Sequence, residues 1–138
     1  MNFFLDTSIC IDVLRTRGAE KSFELFKSFE HTHSGYVSVI TVAELSAGAS
    51  LSSKRDAWKK TDALLAHVQV IDLTEPVAFE AGKIYADLSR TGKRIEFNDC
   101  LIAATATSIG INTIVTRNCD HFNRIADFTA VVPEEIDF

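Results

Sequence analysis

The stretch Phe3-Phe4-Leu5-Asp6-Thr7-Ser8 lies at the start of the chain, where three apolar residues are followed directly by three polar ones. A short apolar run that ends in polar residues is typical of a buried β-strand. Four more runs of this kind follow along the chain: Tyr36–Ile40, Val68–Leu73, Asn112–Val115 and Ala130–Val132. The sequence therefore predicts five short strands.

The stretches between these runs are longer and have helical spacing. One contains Val77, Ala81 and Leu88, which repeat as one face of an amphipathic helix. Another is the mostly apolar segment after Asp99, which Gly110 is expected to end. Apolar strands that alternate with helices are typical of a parallel sheet covered on both faces. We predict an α/β fold, a three-layer α/β/α sandwich with a mostly parallel central sheet of about five strands, as a single domain over residues 1–138.

The composition excludes several classes of protein. The 138 residues carry 14 Lys and Arg against 19 Asp and Glu, a net charge of −5, and 46% are hydrophobic. A chain of this length buries enough surface for one core, which argues against disorder or a disulfide scaffold. Three cysteines without a CxxC pair, and the lack of a signal peptide or of an apolar run of ~18 residues, predict a soluble cytoplasmic protein with no membrane partner. Its acidity argues against broad electrostatic coating of nucleic acid.

Four acidic residues stand where a ligand site of such a fold is expected. In open α/β sheets, ligands bind beyond the carboxyl ends of the strands. Asp6 follows the first strand, Glu44 lies shortly after the second, and Asp120 comes after the fourth. Asp99 opens the apolar helix. Taken singly, Asp6 and Asp99 can be read as helix caps and Asp120 as a loop residue.

Electrostatics decides what convergence of these acids would require. Two ionised carboxylates about 5 Å apart repel by about 3 kcal/mol at an effective dielectric of 20. Six such pairs would rival the ~5–15 kcal/mol stability of a whole domain. Convergence therefore requires a bound cation or altered protonation, and carboxylates without Cys or His favour Mg²⁺ or Mn²⁺ over zinc. Such a site supports metal-assisted phosphoryl transfer.

Four ordered segments together resemble the PIN-domain family, and most closely the VapC toxins of prokaryotic toxin–antitoxin pairs. They are Leu5-Asp6-Thr7-Ser8, Val42-Ala43-Glu44-Leu45, Asn98-Asp99-Cys100-Leu101-Ile102-Ala103-Ala104-Thr105-Ala106 and Val115-Thr116-Arg117-Asn118. The resemblance covers nearly the whole chain in the right order, and the segment around Asp99 is its most specific part.

The resemblance implies a Mg²⁺- or Mn²⁺-dependent endoribonuclease that hydrolyses RNA phosphodiester bonds with a metal-activated water. It further implies a toxin that is commonly a homodimer and is held inactive by a VapB-type antitoxin. Carried over by position, Asp6, Glu44 and Asp99 match the metal-binding acids of the family. Asn118 and Asp120 compete for the fourth position, and Asp120 is preferred because it retains a charge.

Other interpretations stay open at this point. The acids suit a non-catalytic interaction module that binds a cation, and a solitary RNA-processing nuclease fits the same motifs. Lys93, Arg94 and Arg117 are candidates for holding RNA phosphates, although each also suits an ordinary solvated surface. The hydroxyls of Thr7, Ser8 and Thr116 are candidates for orienting the carboxylates. The spaced phenylalanines Phe23, Phe26 and Phe29, together with Trp58, are expected in the core.

Overall fold

The central sheet has five strands, all parallel, in the computed structural model, which describes residues 1–15 and 18–138. They are β1 (Asn2–Leu5), β2 (Ser34–Ser38), β3 (Gln69–Ile71), β4 (Thr113–Val115) and β5 (Thr129–Val131). Their order across the sheet is β3-β2-β1-β4-β5, with every neighbouring pair parallel. This arrangement confirms the predicted parallel sheet and places β1 at its centre.

Helices connect the strands as crossovers. They are α1 (Thr7–Leu14), α2 (Glu20–Ser28), α3 (Val39–Leu51), α4 (Ala57–Leu65), α5 (Glu75–Arg90), α6 (Phe97–Ser108) and α7 (Cys119–Phe122), followed by a 3₁₀ turn at Pro133–Glu135. Within the described residues, none of the helices has the length and apolar character that a membrane crossing requires.

Two apolar clusters lie on opposite faces of the sheet, as the three-layer prediction requires. Phe4 and Ile114 pack with α5 and α6 on one face. Their chain neighbours Leu5 and Val115 pack with α1 and α2 on the other. Successive side chains of a strand point to opposite faces, so each central strand contributes to both clusters.

The second strand has the predicted length but begins and ends two residues earlier than predicted. It ends at Ser38, and Val39 and Ile40, which were expected in the strand, begin α3 instead. The Ser38 hydroxyl accepts a 3.1 Å hydrogen bond from the Ile40 backbone N–H and so caps the helix. An N-cap therefore overrides the β preference of two β-branched residues here.

The end of α6 follows the predicted role of Gly110. Gly110 has a φ of +78°, which favours glycine. The Ile111 N–H donates to the Ala106 carbonyl at 3.0 Å, and the Gly110 N–H donates to the Thr107 carbonyl at 2.9 Å. This pair of bonds is a Schellman motif, which ends the helix and turns the chain towards β4.

Two expected core residues lie at the surface. Phe23 is 52% exposed and Trp58 is 53% exposed, whereas Phe26 is buried and Phe29 is half-buried. Leu25 and Phe26 form the buried face of α2, and Phe23 lies beside that face. Spacing by three residues was therefore too coarse to place every aromatic in the core.

Candidate active site

Asp6 lies at the carboxyl end of β1 with its side chain fixed by two hydroxyls. Its backbone N–H donates to the Val115 carbonyl at 2.9 Å, which carries the β1–β4 ladder one residue past the strand. The residue is only 4% exposed. Its Oδ2 atom accepts hydrogen bonds of 2.8 Å from both Ser8 Oγ and Thr116 Oγ1. The carboxylate is thus held in one orientation at the centre of the sheet.

The same two hydroxyls also fix the turn after β4. Ser8 Oγ accepts a hydrogen bond from the Arg117 N–H at 3.0 Å. Thr116 Oγ1 accepts one from the Asn118 N–H at 2.9 Å. The turn that follows β4 is therefore bonded to the residues that orient Asp6.

Glu44 reaches this end of the sheet from α3. Its Oε1 atom accepts a 2.8 Å hydrogen bond from Thr7 Oγ1, and Thr7 Oγ1 also lies 2.9 Å from Thr41 Oγ1. Thr41 and Glu44 are three residues apart on α3 and so share a face of that helix. Through these bonds, Thr7 holds Glu44 next to the chain position that carries Asp6.

Asp99 joins the pocket from the first turn of α6. Its side chain is 15% exposed, and its pKa is raised from 3.8 to about 6. Burial is the largest cause, the negative charge of Asp6 is next, and Glu44 adds to the effect. His121 opposes the shift, with its Nδ1 atom 3.6 Å from Asp99 Oδ2. Asp6 and Glu44 are therefore near enough to Asp99 for their negative charges to raise its pKa.

Among the hydrogen bonds of the described residues, none joins the side chain of either candidate for the fourth position to Asp6, Glu44 or Asp99. The Asp120 carboxylate is 84% exposed, and its Oδ2 atom accepts a 2.8 Å hydrogen bond from Arg124 Nη2. Asn118 is exposed at the start of α7, with its backbone linked to Asp6 through Thr116. The choice of Asp120 over Asn118 stays a prediction.

The donor set of the pocket suits a hard divalent cation. In the parts of the chain that the structure describes, no lysine or arginine forms an ion pair with Asp6, Glu44 or Asp99. Across residues 1–15 and 18–138, no three His, Cys, Asp or Glu side chains are grouped closely enough to hold an ion by themselves. Mg²⁺ typically binds through one or two carboxylates, several waters and substrate phosphates. Asp6 and Glu44, whose negative charges raise the pKa of Asp99, are carboxylates of the kind that bind Mg²⁺ together with waters and substrate phosphates.

Arg117 has a role that the sequence did not indicate. Its Nε atom donates to Asp12 Oδ2 at 2.7 Å and its Nη1 atom to Glu134 Oε2 at 2.6 Å, while Nη2 donates to Ser22 Oγ at 3.1 Å. The Glu134 hydrogen bond is the largest cause of the raised pKa of Arg117, and it lowers the pKa of Glu134 in turn. The guanidinium therefore joins α1, α2 and the 3₁₀ turn instead of facing a phosphate. Because its partners are far apart in sequence, no local motif could have revealed this network.

Comparison with known proteins gives a family match and several relatives of similar sequence. The family model described as "PIN domain" matches residues 3–128. A protein of Haemophilus influenzae named Ribonuclease VapC2 is 35% identical over 128 residues, which is 91% of this chain and 92% of that protein. The tRNA(fMet)-specific endonuclease VapC of Shigella flexneri is 30% identical over 128 residues, with the same coverage of both chains.

A solved structure matches the fold over nearly its whole length. It is the crystal structure of VapBC2 from Rickettsia felis bound to a DNA fragment from their promoter, and the matching chain has a TM-score of 0.83 and 28% identity. The match covers 96% of this chain and 98% of that one. The two chains therefore share one fold over nearly their whole lengths.

Proposed function

This chain belongs to the PIN-domain family and, within it, to the VapC ribonucleases, and from that premise we propose that it is a metal-dependent endoribonuclease, the toxin of a toxin–antitoxin pair. The observation that carries the proposal is the fixed placement of two acids: Ser8 and Thr116 hold the Asp6 carboxylate at the end of β1, and Thr7, the next residue, holds Glu44. The pKa of Asp99 is raised first by burial and then by the negative charge of Asp6, with a smaller contribution from Glu44. Such mutual repulsion is costly without a cation, and the resulting site is the kind that phosphodiester hydrolysis uses.

The side chains of the pocket each have a separate task. Asp6, Glu44 and Asp99 would hold Mg²⁺ or Mn²⁺, with Asp120 or Asn118 as the fourth position. A divalent ion at this place supplies a water of lowered pKa and neutralises charge on the phosphate. Ser8 and Thr116 keep the Asp6 carboxylate in one rotamer, and Thr7 does the same for Glu44. This preorganisation means that little reorientation is needed when substrate arrives.

A VapB-type antitoxin and a second copy of the chain are the proposed protein partners. The solved relative from Rickettsia felis is a VapBC complex, which supports an antitoxin partner for this chain. We place the protein in the cytoplasm, where its three free cysteines would stay reduced. A short open reading frame upstream that encodes a DNA-binding protein would supply the antitoxin. Its product, when coexpressed, should copurify with this chain and suppress RNA cleavage.

The test of the enzymatic proposal is cleavage of total tRNA by the purified chain. We expect cleavage with Mg²⁺ or Mn²⁺, and none with a chelator. Asp6→Asn and Asp99→Asn should each lower the rate by at least about 100-fold, because each removes charge from the proposed metal site. Asp87→Asn is the matched control, because Asp87 is an exposed residue of α5 paired with Arg90. Undiminished cleavage by the first two variants would remove the site assignment, and no cleavage under any of these conditions would remove the function.

A further inference from the structure

A cleft of about 450 Å³ lies directly beside the acidic pocket. It is lined by Tyr85, Arg94, Ile95, Glu96, Phe97 and His121, and we call it the Phe97 cleft. His121 belongs to both places, because it lines the cleft and its Nδ1 atom lies 3.6 Å from Asp99 Oδ2. A molecule in the Phe97 cleft would therefore be a direct neighbour of whatever reacts at the carboxylates.

Two aromatic rings form one wall of this cleft. The ring centroids of Tyr85 and Phe97 are 5.1 Å apart, with an angle of 51° between the ring planes. Tyr85 is half-buried and packs against the core, whereas Phe97 is 46% exposed at the start of α6. A large apolar ring that is held in place and open to solvent offers a face on which an unpaired nucleobase can stack.

Arg94 supplies positive charge at the same cleft. Its guanidinium carbon lies 5.8 Å from the Tyr85 ring centre, and its carbonyl accepts a 3.1 Å hydrogen bond from Arg124 Nη1. Among the ion pairs of the described residues, none occupies the Arg94 side chain. Its guanidinium is therefore available to a phosphate, for which its planar set of donors is well suited.

Glu96 adds a negatively charged hydrogen-bond acceptor to the cleft. The exposed carboxylate of Glu96 only accepts hydrogen bonds and repels phosphate. It therefore suits the amino edge of a base, while Arg94 suits the backbone. An aromatic face, one cation and one acceptor in a single cleft match the parts of a nucleotide.

We propose that the Phe97 cleft binds one unpaired nucleotide of the RNA substrate beside the phosphate that is cut. Its base stacks on Phe97, and an adjoining phosphate pairs with Arg94. This inference rests on the proposed ribonuclease function and adds a binding site that determines where the strand lies. Phe97 and Arg94 are positioning residues in this scheme, because they hold the substrate without touching the reacting atoms.

The test compares binding of two probes to the full chain carrying Asp6→Asn, which prevents cleavage during the measurement. The probes are fluorescein-labelled single-stranded oligoadenylate and an abasic sugar–phosphate chain of the same length, with fluorescence anisotropy as the readout. We expect the protein to prefer the probe with bases, and Phe97→Leu to lose roughly 5- to 150-fold of affinity for it, as stacking energies predict. The abasic probe should not be affected by Phe97→Leu. Arg94→Gln should lower the affinity for both probes and make binding less dependent on salt concentration.

Phe79→Leu is the matched control, because Phe79 is a phenylalanine of α5 that is 71% exposed and does not line the cleft. It should leave the affinity for both probes unchanged. The proposal is overturned if Phe97→Leu keeps the preference for bases, if Phe79→Leu loses it equally, or if neither probe binds. These outcomes are separate from the fate of the proposed function, which depends on tRNA cleavage by the unaltered chain. If Phe97→Leu, made in the otherwise unaltered chain, cleaves tRNA with a normal KM, the proposal that the Phe97 cleft binds substrate is wrong. The proposed ribonuclease function would still hold.

Discussion

The hydroxyl of Thr116 donates a 2.8 Å hydrogen bond to Asp6 Oδ2, across 110 residues of sequence and between two neighbouring strand ends. Both residues are buried, and Thr116 is fully so. Thr116 Oγ1 also accepts the Asn118 N–H. One side chain therefore couples the position of a proposed metal ligand to the shape of the loop after β4.

Replacing Thr116 with valine should impair both stability and activity. Thr116→Val removes a hydrogen bond to a buried carboxylate and the acceptor of a backbone N–H, which we expect to lower the free energy of unfolding by about 1–3 kcal/mol. The Mg²⁺ concentration needed for half-maximal cleavage should rise, because Asp6 loses one of its two orienting donors. Urea denaturation and a metal titration measure these effects. Thr116→Ser retains the hydroxyl and should behave almost like the unaltered chain, so equal damage in both variants would contradict this role.

The Arg117 network should matter for stability and not for RNA binding. Arg117→Met leaves Asp12, whose side chain is 13% exposed, without its cation, and we expect a loss of about 1–3 kcal/mol in the free energy of unfolding. Lys83→Met breaks the surface pair with Glu80 and should cost less than about 0.5 kcal/mol. RNA affinity by anisotropy should be similar in both variants. A large affinity loss specific to Arg117→Met would instead place its guanidinium on the substrate.

The Asp99 carboxyl should make the metal-free protein more stable at mildly acidic pH. Its pKa of about 6 lies above the ordinary 3.8, so between these values the folded chain holds a proton that the unfolded chain has lost. Unfolding then releases a proton, and lowering the pH from about 7.5 to about 5 should add roughly 1 kcal/mol of stability from this group. This contribution is the difference between the pH profiles of the unaltered chain and Asp99→Asn in urea denaturation with a chelator present.

At about pH 7.5, Asp99→Asn should also be more stable than the unaltered chain. The difference between their free energies of unfolding should become smaller towards about pH 5. Added Mg²⁺ should stabilise the unaltered chain at the higher pH and leave Asp99→Asn unchanged, because a bound cation stabilises the ionised carboxylates. Parallel pH profiles for the two proteins would show that Asp99 titrates as an ordinary exposed acid.

Gly35 is required by the packing of β2, whereas Gly48 is not required by α3. A Cβ atom at Gly35 would lie 2.5 Å from the Phe29 ring, which packs against Phe3 and Phe26. Gly35→Ala should therefore cost about 1–3 kcal/mol of stability through overpacking. Gly48→Ala meets no atom within 4 Å in the helix and should stabilise the protein by about 0.5–1 kcal/mol. Thermal unfolding distinguishes the two, and a neutral Gly35→Ala would mean that the Phe29 ring moves freely.

Much of the fold could be predicted because its signals are local. Short apolar runs indicated the strands, and β1, β4 and β5 lie within one residue of their predicted bounds. The error at the carboxyl end of β2 arose because the hydrogen bond that the Ser38 hydroxyl accepts from the Ile40 N–H outweighed the strand preference of Val39 and Ile40. Such a cap is hard to predict from sequence, because its energy is similar in size to the strand propensities that oppose it.

The candidate site was predictable in part. Asp6, Glu44 and Asp99 were identified from strand ends and motif order, and the charges of Asp6 and Glu44 raise the pKa of Asp99. Their assignment as metal ligands stays a prediction. The contact of His121 with Asp99 was missed, because the two are 22 residues apart and no pattern joins them. The exposure of the Asp120 carboxylate was also not predicted. This carboxylate is hydrogen-bonded to Arg124, four residues later in the chain.

What the residues themselves determined was the order of strands and helices and the identity of the acidic side chains, because hydrophobic periodicity and charge are properties of neighbours along the chain. The folded chain alone decided which hydroxyl orients which carboxylate, which arginine is used in packing, and which aromatic ring is left open beside the acids. Those outcomes depend on distances of a few ångströms between residues that are far apart in sequence, and such distances exist only once the sheet has brought the strand ends together.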